Sequence, residues 1–356
     1  MCREKRPIND GIRISANARW KPCPLFDQPD AGYTRIEHEV SADMTFTIDR
    51  FTGQSGLMLR YALHSPEHAT GHVLILQGRG EFIERYSETA HELAERGLGC
   101  VTFDFRGQGG SAREVPESQM GYIGDIDHYI EDTTDVLAHV AKHHNIDCKL
   151  LLTHSTGGLV GMHMLLENPA RFDSAVMIAP FFGLGGPDWI AIAAQFLSAG
   201  LCRYGFDKQF LPGQKLLSPF QPFADDNLLT SDRNRYERNV TCLQNNPDLV
   251  VGGVSAGWLD ACFRAQAELA ERVTPDNKFS GAALPPITMI LSGNDQVVSN
   301  RATQELFGDH PSVDMTEIPE SRHEILQESD KFRTLFWQAF DRHLATHHPQ
   351  WVPMHP

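Results

Sequence analysis

Three residue types that together can move an acyl group lie along this chain in a workable order: Ser155, Asp295 and His323. A serine hydroxyl is a weak nucleophile until a base takes its proton, and a histidine base needs an acid to hold its tautomer. Ser155 sits in Leu151-Leu-Thr-His-Ser155-Thr-Gly-Gly158, between an apolar run and a helical segment. A sharp strand-to-helix turn there lifts the hydroxyl clear of a sheet, and the helix N-terminus behind it offers free N–H groups to a developing oxyanion. The pattern for such a turn is G-x-S-x-G. Gly157 matches it and Gly158 adds a second small residue, whereas Thr153 puts a β-branched side chain where clearance is wanted. Taken alone, the segment also describes an N-cap serine followed by flexible glycines. The strand before it and the helix after it tilt the reading toward a nucleophile.

Asp295 follows the apolar run 287–293 (ITMILSG), at the carboxyl end of a strand, where open α/β sheets gather their sites. Asp314 and Asp330 compete with it for the role of acid. His323 falls on a loop after the strand 313–319, just ahead of the last helix. With seventeen histidines, no single one is a signal by type. His143, His144, His347 and His348 read as solvated surface, and strand alternation turns His154 away from the site. The first parallel strand ends in Gln77-Gly-Arg-Gly-Glu81, a turn able to present an N–H toward the same point. The two oxyanion donors are therefore assigned to the backbone N–H groups of Arg79 and Thr156. The plainer reading of that turn is glycines for turning only.

The elements that must position these residues follow from periodicity. Residues 44–51 and 57–63 flank a glycine-containing turn and predict a hairpin. Strands at 73–77, 99–105, 149–154, 174–180, 287–293 and 313–319 alternate with helices at 83–96, 125–144, 157–167 and about 324–346. Short apolar strands joined by helices imply a mostly parallel, doubly wound sheet. In the last helix, Phe332, Leu335, Phe336, Phe340 and Leu344 form one stripe for the core. Residues 183–283 break the β-α rhythm and are too long for a loop. They are read as an inserted, mostly helical cap, with helices at 189–201 and 258–272. The α/β core then comprises 41–182 and 284–356, preceded by an arm over 1–40.

Composition narrows the partners. The formal net charge is −15, which disfavours nucleic acid and broad adsorption to anionic membranes. Seven scattered cysteines, an odd number with no CxxC pair, indicate free thiols in a reducing, cytoplasmic compartment. Residues 1–20 are polar, unlike a signal peptide. The apolar stretch 181–201 is interrupted by glycines, Pro187 and Asp188, unlike a membrane span.

With these residues assembled, the chain resembles the α/β-hydrolase serine hydrolases that include monoacylglycerol lipases and bacterial lysophospholipases. Gln77-Gly-Arg-Gly-Glu81 is similar to that family's HGxGE turn, with glutamine for histidine, and residues 104–111 (DFRGQGGS) are similar to its D-x-R-G-x-G-x-S loop. The elbow His154-Ser-Thr-Gly-Gly158, then Gly293-Asn-Asp295 and Arg322-His323, follow in the family's order. The resemblance implies that Asp104 and Arg106 fix their loop by hydrogen bonding, with Ser111 capping it. The cap segment 229–236 (LTSDRNRY), with Gly257-Trp-Leu259, looks more like the lysophospholipase branch and implies a lysophospholipid or other monoacyl ester substrate.

The expected chemistry is an acyl-serine mechanism that needs no metal or cofactor. Phe181, Phe182, Trp189, Phe196 and Trp258 are candidates to line the acyl pocket, although each singly reads as well as cap core. An amidase, aminopeptidase or thioesterase on the same triad is the alternative; Asp225, Asp226 and Asp232 could hold a peptide ammonium. A non-catalytic binding protein ranks last, because such proteins usually lose a triad member. Peripheral membrane contact through the cap is a further expectation.

Overall fold

The computed structural model describes residues 46–273 and 283–351. The arm expected over residues 1–40 lies outside them. Eight strands make one sheet in the order β1-β2-β4-β3-β5-β6-β7-β8. β1 (Thr47–Thr52) and β2 (Met58–His64) form the antiparallel hairpin, and β2 runs antiparallel to β4 (Leu98–Asp104). β3 (Gly71–Leu76), β5 (Leu150–His154), β6 (Ser174–Ile178), β7 (Ile287–Ser292) and β8 (Val313–Ile318) continue the sheet in parallel with β4. Every residue of β4, β5, β6 and β7 is buried. Successive side chains point to opposite faces, so both faces of the central sheet are covered.

The covering helices are α1 (Ser87–Glu95), α2 (Asp127–His144), α3 (Thr156–Glu167) and α8 (Asp330–His347). The segment between β6 and β7 carries α4 (Asp188–Arg203), α5 (Arg233–Asn245) and α6 (Ala256–Val273), and among its described residues no strand of the sheet. A short α7 (Asn300–Phe307) joins β7 to β8. Neither α5 nor α7 is legible as an apolar stripe. α5 is rich in arginine and asparagine, and buries only Cys242.

Three expectations need correction. The helix expected over 83–96 begins as a 3-10 turn, Ile83–Tyr86, because the Asp104 carboxylate takes the Ile83 N–H at 2.9 Å. The last helix starts at Asp330, not near 324. The stretch before it holds a 3-10 turn, Ile325–Gln327, and the Glu328 carboxylate that follows accepts the backbone N–H groups of Ser231, Arg322 and Ser329. Within α8, Leu335 is 39% exposed, and Trp337 takes its place beside Phe332, Phe336, Phe340 and Leu344. At 100° per residue, Leu335 falls outside the arc that those five share.

His348 corrects the surface reading too. It is buried, its Nε2 lies 2.6 Å from Ser174 Oγ, and its ring stacks on Trp351. His343 reaches the same hydroxyl at 2.7 Å through Nε2, and Thr288 Oγ1 at 2.8 Å through Nδ1. Burial, reinforced by His347 and His348, pushes the His343 imidazole down to about 3. An unfolded histidine takes up its proton near pH 6.5. Between those values the unfolded chain binds more protons, so His343 favours the fold fully above about pH 6.5 and progressively less as pH falls. His343→Gln is expected to flatten the fall of the thermal midpoint between roughly pH 6.5 and 4. Parallel wild-type and variant curves would place that acid sensitivity elsewhere.

Candidate active site

β5 ends at His154 and α3 begins at Thr156, leaving Ser155 alone to turn the chain. It does so at φ 52°, ψ −116°, in a region that L-residues rarely occupy. Such a conformation persists only where its surroundings over-determine it. Here the Ser155 N–H donates to the Ile178 carbonyl at 3.0 Å, and the Ser155 carbonyl accepts from Gly158 at 2.8 Å and Phe181 at 3.0 Å. Close packing demands the glycines. A Cβ at Gly157 would stand 2.3 Å from the Leu76 carbonyl oxygen, and one at Gly158 would stand 2.7 Å from Pro180 Cβ.

Thr153, the departure from the elbow pattern, is buried, and room for it is found on α3. A Cβ at Gly161 would lie 3.0 Å from Thr153 Cγ2, and one at Gly158 would lie 3.4 Å from Thr153 Oγ1. The missing glycine on the strand is offset by small residues on the helix facing it.

The structure brings Ser155, His323 and Asp295 together. Ser155 Oγ is 3.0 Å from His323 Nε2, and His323 Nδ1 is 2.7 Å from Asp295 Oδ2. Asp295 Oδ1 accepts the Val297 and Val298 N–H groups at 2.8 and 2.9 Å. Burial opposes the charge on Asp295. Its bonds from His323 and the two amides outweigh burial and hold the carboxyl below its ordinary range. A carboxylate can only accept, so Nδ1 carries the proton and Nε2 keeps a lone pair toward the serine hydroxyl. The competing acids lie elsewhere: Asp314 is exposed on β8, and Asp330 pairs with Arg235 at 2.6 Å.

His154 points away from Ser155, as strand alternation requires, but onto a functional target that sequence reasoning missed. Its Nδ1 faces Glu81 Oε1 at 3.0 Å and its Nε2 faces the His323 carbonyl at 3.1 Å. The His323 carbonyl can only accept, so Nε2 carries a proton, and toward an ionised Glu81 carboxylate Nδ1 donates as well. Burial works against the charge of the doubly protonated ring; Glu81 outweighs it and raises His154 above its ordinary range. Glu81 is itself held far below the carboxylate range, against its burial, by His154, Arg85 and Tyr86. Arg85 also pairs with Glu324 at 2.5 Å. The only signal available in sequence was a glutamate and a histidine in the two glycine-bearing turns.

The turn after β3 is fixed from several sides. Glu81 accepts the Gly78 N–H, and Gln108 Oε1 accepts the Gly80 N–H at 3.1 Å. Between them the Arg79 N–H makes no hydrogen bond among the described residues. The Thr156 N–H opens α3 and belongs to the first-turn donors that no intrahelical carbonyl can satisfy. Gln77, in the histidine position, is buried and donates to Thr102 Oγ1 at 3.2 Å. In the neighbouring loop Asp104 takes the Gly110 N–H at 2.8 Å and Arg60 Nη1 at 2.9 Å. Arg106 reaches Asp132 through two nitrogens, and Ser111 Oγ donates to the Asp104 carbonyl.

Of the aromatic candidates, Phe181 and Trp258 are buried with parallel rings 6.0 Å apart, and Phe181 is tied by its N–H to Ser155. Phe182 is buried against Phe307. Trp189 and Phe196 are not brought to them; both stand on the outside of α4, 69% and 76% exposed. No cluster of side chains able to hold a metal ion occurs among the described residues.

A serine at a strand-to-helix elbow, facing a histidine and a carboxylate from later loops of a mostly parallel sheet, defines an α/β-hydrolase. Residues 67–330 match the model of the family described as serine aminopeptidase, S33, and the chain belongs to that family. It is 27% identical over 294 residues to the probable lysophospholipase L2 of Haemophilus influenzae, covering 81% of this chain and 88% of that one. It is also 27% identical over 308 residues to lysophospholipase L2 of Escherichia coli K12, covering 82% and 87%. A soluble variant of monoglyceride lipase from Saccharomyces cerevisiae, solved with a substrate analog, superposes with a TM-score of 0.66 at 18% identity, covering 89% and 99%. The chain is a carboxylic ester hydrolase of this fold.

The pairing of Thr153 with Gly161 makes a test of the elbow. Gly161→Ala is expected to cost about 1–3 kcal/mol by overpacking. Thr153→Gly should relieve the part of that penalty that falls on Thr153, since a Cβ at Gly161 would also stand 3.0 Å from Leu151 Cδ2. Denaturant titration of the two single variants and the double variant measures the coupling, and strict additivity would show that Gly161 does not make room for Thr153.

Proposed function

We propose that this enzyme hydrolyses carboxylic esters of lipid-like monoacyl substrates, of lysophospholipid or monoacylglycerol type, through an acyl-serine intermediate on Ser155. The observation that carries the mechanism is the continuous relay Ser155 Oγ–His323 Nε2–Nδ1–Asp295. His323 takes the Ser155 proton as the oxygen attacks the acyl carbonyl, and Asp295 stabilises the resulting imidazolium. The Arg79 and Thr156 amides receive the oxyanion, which they stabilise without reorganising. His323 then returns the proton to the leaving alcohol. Water, activated by the same ring, releases the fatty acid. The substrate class rests on the names of the two lysophospholipases and the monoglyceride lipase to which the chain is similar.

The aminopeptidase alternative has the description of the family behind it, but it needs a free cap carboxylate near the site. Asp232 is committed to capping α5 through the Arg235 N–H at 2.8 Å, and Asp225 and Asp226 are exposed.

The substrate is delivered, on this reading, from a lipid surface touched by α4. That helix has no charged residue between Asp188 and Arg203 and presents Trp189, Ile192 and Phe196 outward, Ile192 at 53% exposure. No helix among the described residues is long and apolar enough to cross a membrane, so the contact would be peripheral. With a net charge of −15, it would depend on apolar insertion rather than on attraction to anionic lipid. The free cysteines fit a reducing, cytoplasmic setting.

Ser155→Ala is expected to abolish turnover of p-nitrophenyl esters and labelling by a fluorophosphonate probe. Asp295→Asn should lower kcat by about 10⁴ with the fold intact. Full turnover by the serine variant would end the assignment. A second expectation concerns delivery: the double variant Trp189→Ser/Phe196→Ser should sediment less with phosphatidylcholine vesicles, independently of salt. Unchanged sedimentation would remove α4 from the membrane reading.

A further inference from the structure

His154 precedes the nucleophile in the chain and reaches the base from behind. Its Nε2–H donates to the His323 carbonyl at 3.1 Å, and the next residue, Ser155, sets its Oγ 3.0 Å from Nε2 of the same His323. Two consecutive residues of the elbow thus hold the base at both ends, one by its backbone and one by its ring. The two imidazole rings lie 4.8 Å apart, centroid to centroid.

The backbone of His323 has few other ties. Its own N–H makes no hydrogen bond among the described residues, and among them no donor but His154 reaches its carbonyl. The peptide joining it to Glu324 is gripped on both edges. The Glu324 N–H donates to the Leu229 carbonyl at 2.9 Å on the cap side, and the carbonyl accepts from His154 on the sheet side. A peptide held at its N–H alone can rock about that bond, and the side chain it carries rocks with it. Glu81 aims the ring that prevents this: it meets His154 Nδ1 at 3.0 Å and is itself fixed by the Gly78 N–H and by the Tyr86 hydroxyl at 2.6 Å. Both His154 and Glu81 are buried. A buried ion pair is a weak source of stability, because desolvation offsets the attraction, and apolar residues could fill the same space. What apolar residues could not supply is an N–H for the carbonyl of the base.

We infer that His154 is a positioning residue of the reaction: through the His323 carbonyl it fixes the distance of the imidazole from Ser155, and Glu81 aims it. This rests on the acyl-serine reading above and adds to it a residue that touches neither the substrate nor the reacting atoms.

The test uses the reach of two amides. Glutamine Nε2 stands as many bonds from Cβ as histidine Nε2 does, whereas asparagine Nδ2 stands only as far as Nδ1. His154→Gln keeps a donor for the His323 carbonyl, and His154→Asn, of the same chemistry, keeps one for Glu81 alone. Labelling of Ser155 by a fluorophosphonate, and kcat for a p-nitrophenyl ester, are expected to fall about 10²-fold in His154→Asn and no more than about tenfold in His154→Gln, with KM little changed. Glu81→Gln should also lose less than His154→Asn. Its amide oxygen can accept from Gly78 and Tyr86, and its NH₂ can donate to Nδ1 of a neutral His154 whose proton stays on Nε2. Equal losses in the Asn and Gln variants of His154, or a loss in Glu81→Gln as deep as in His154→Asn, overturn the inference. If His154→Asn does not fold, the double variant Glu81→Gln/His154→Leu, which buries no charge, takes its place with the same expected loss. The low-field proton resonance of His323 Nδ1–H, in its bond to Asp295, reads the seating of the ring without turnover. It should persist in His154→Gln and broaden or vanish in the variant that lacks the donor. A wild-type protein that is not labelled overturns the acyl-serine mechanism, and the resonance then decides the role of His154 alone: an identical signal in all variants overturns it.

Discussion

The rest of the structure depends on the left-handed turn at Ser155. An L-residue at φ 52° is costly, by about 1–3 kcal/mol, and can be held only by contacts made on all sides. Those contacts dictate the neighbourhood. β5 must lie between β3 and β6, because the Leu76 carbonyl presses on Gly157 from one side and Pro180, just past β6, presses on Gly158 from the other. The start of the turn after β3 thereby packs against the first residues of α3, with the Leu76 and Gln77 carbonyls against Gly157. The elbow at Ser155 and the packing of the neighbouring turn follow from one constraint.

A buried polar chain performs the corresponding task for the base. The Glu81–His154 pair connects the turn after β3, the end of β5 and the loop after β8, since His154 ends on the His323 carbonyl. Arg85 and Glu324 extend it on the other side of His323. Buried polar groups bonded to one another in a low-dielectric interior hold their partners in place, although the Arg85 Nε finds no partner. Such a chain fixes His323 through its backbone, which leaves both ring nitrogens free for Ser155 and Asp295. It also takes up the Gly78 N–H, while the adjacent Arg79 N–H makes no hydrogen bond among the described residues.

Much of this was legible because strand and helix periods are strong signals where burial is complete. β4, β5 and β6 read as apolar runs, and the serine, acid and base stand at strand ends where the topology needs them. The illegible parts have physical reasons. α5 is mostly polar and buries little beyond Cys242, and ion pairs help to hold it: Arg235 and Arg238 both reach Glu88 on α1. His348 resembled solvated surface because its partner, Ser174, is remote in sequence. The start of α8 was misplaced because a distant side chain contact, Ser231 to Glu328, outweighs local propensity. His154 was set aside on direction, correctly, but direction alone does not reveal what lies at the other end.

The helical segment between β6 and β7 divides its labour by chemistry. Its polar half serves the base: Thr230 donates to the Gln327 carbonyl, Arg322 donates to the Thr230 carbonyl, and Arg235 reaches the Glu328 carbonyl, so the loop after His323 is clamped on the cap side. Its apolar half, α4, packs along α6 and leaves aromatic side chains to solvent. The half beside His323 is anchored by hydrogen bonds, whereas α4 is held mainly by apolar packing on α6 and by the Asp188–Arg301 ion pair. Apolar contact is non-directional and tolerates sliding, whereas a hydrogen-bonded clamp does not. Arg79 stands where those halves meet, bonded to the segment just ahead of α6 and stacked on Trp258.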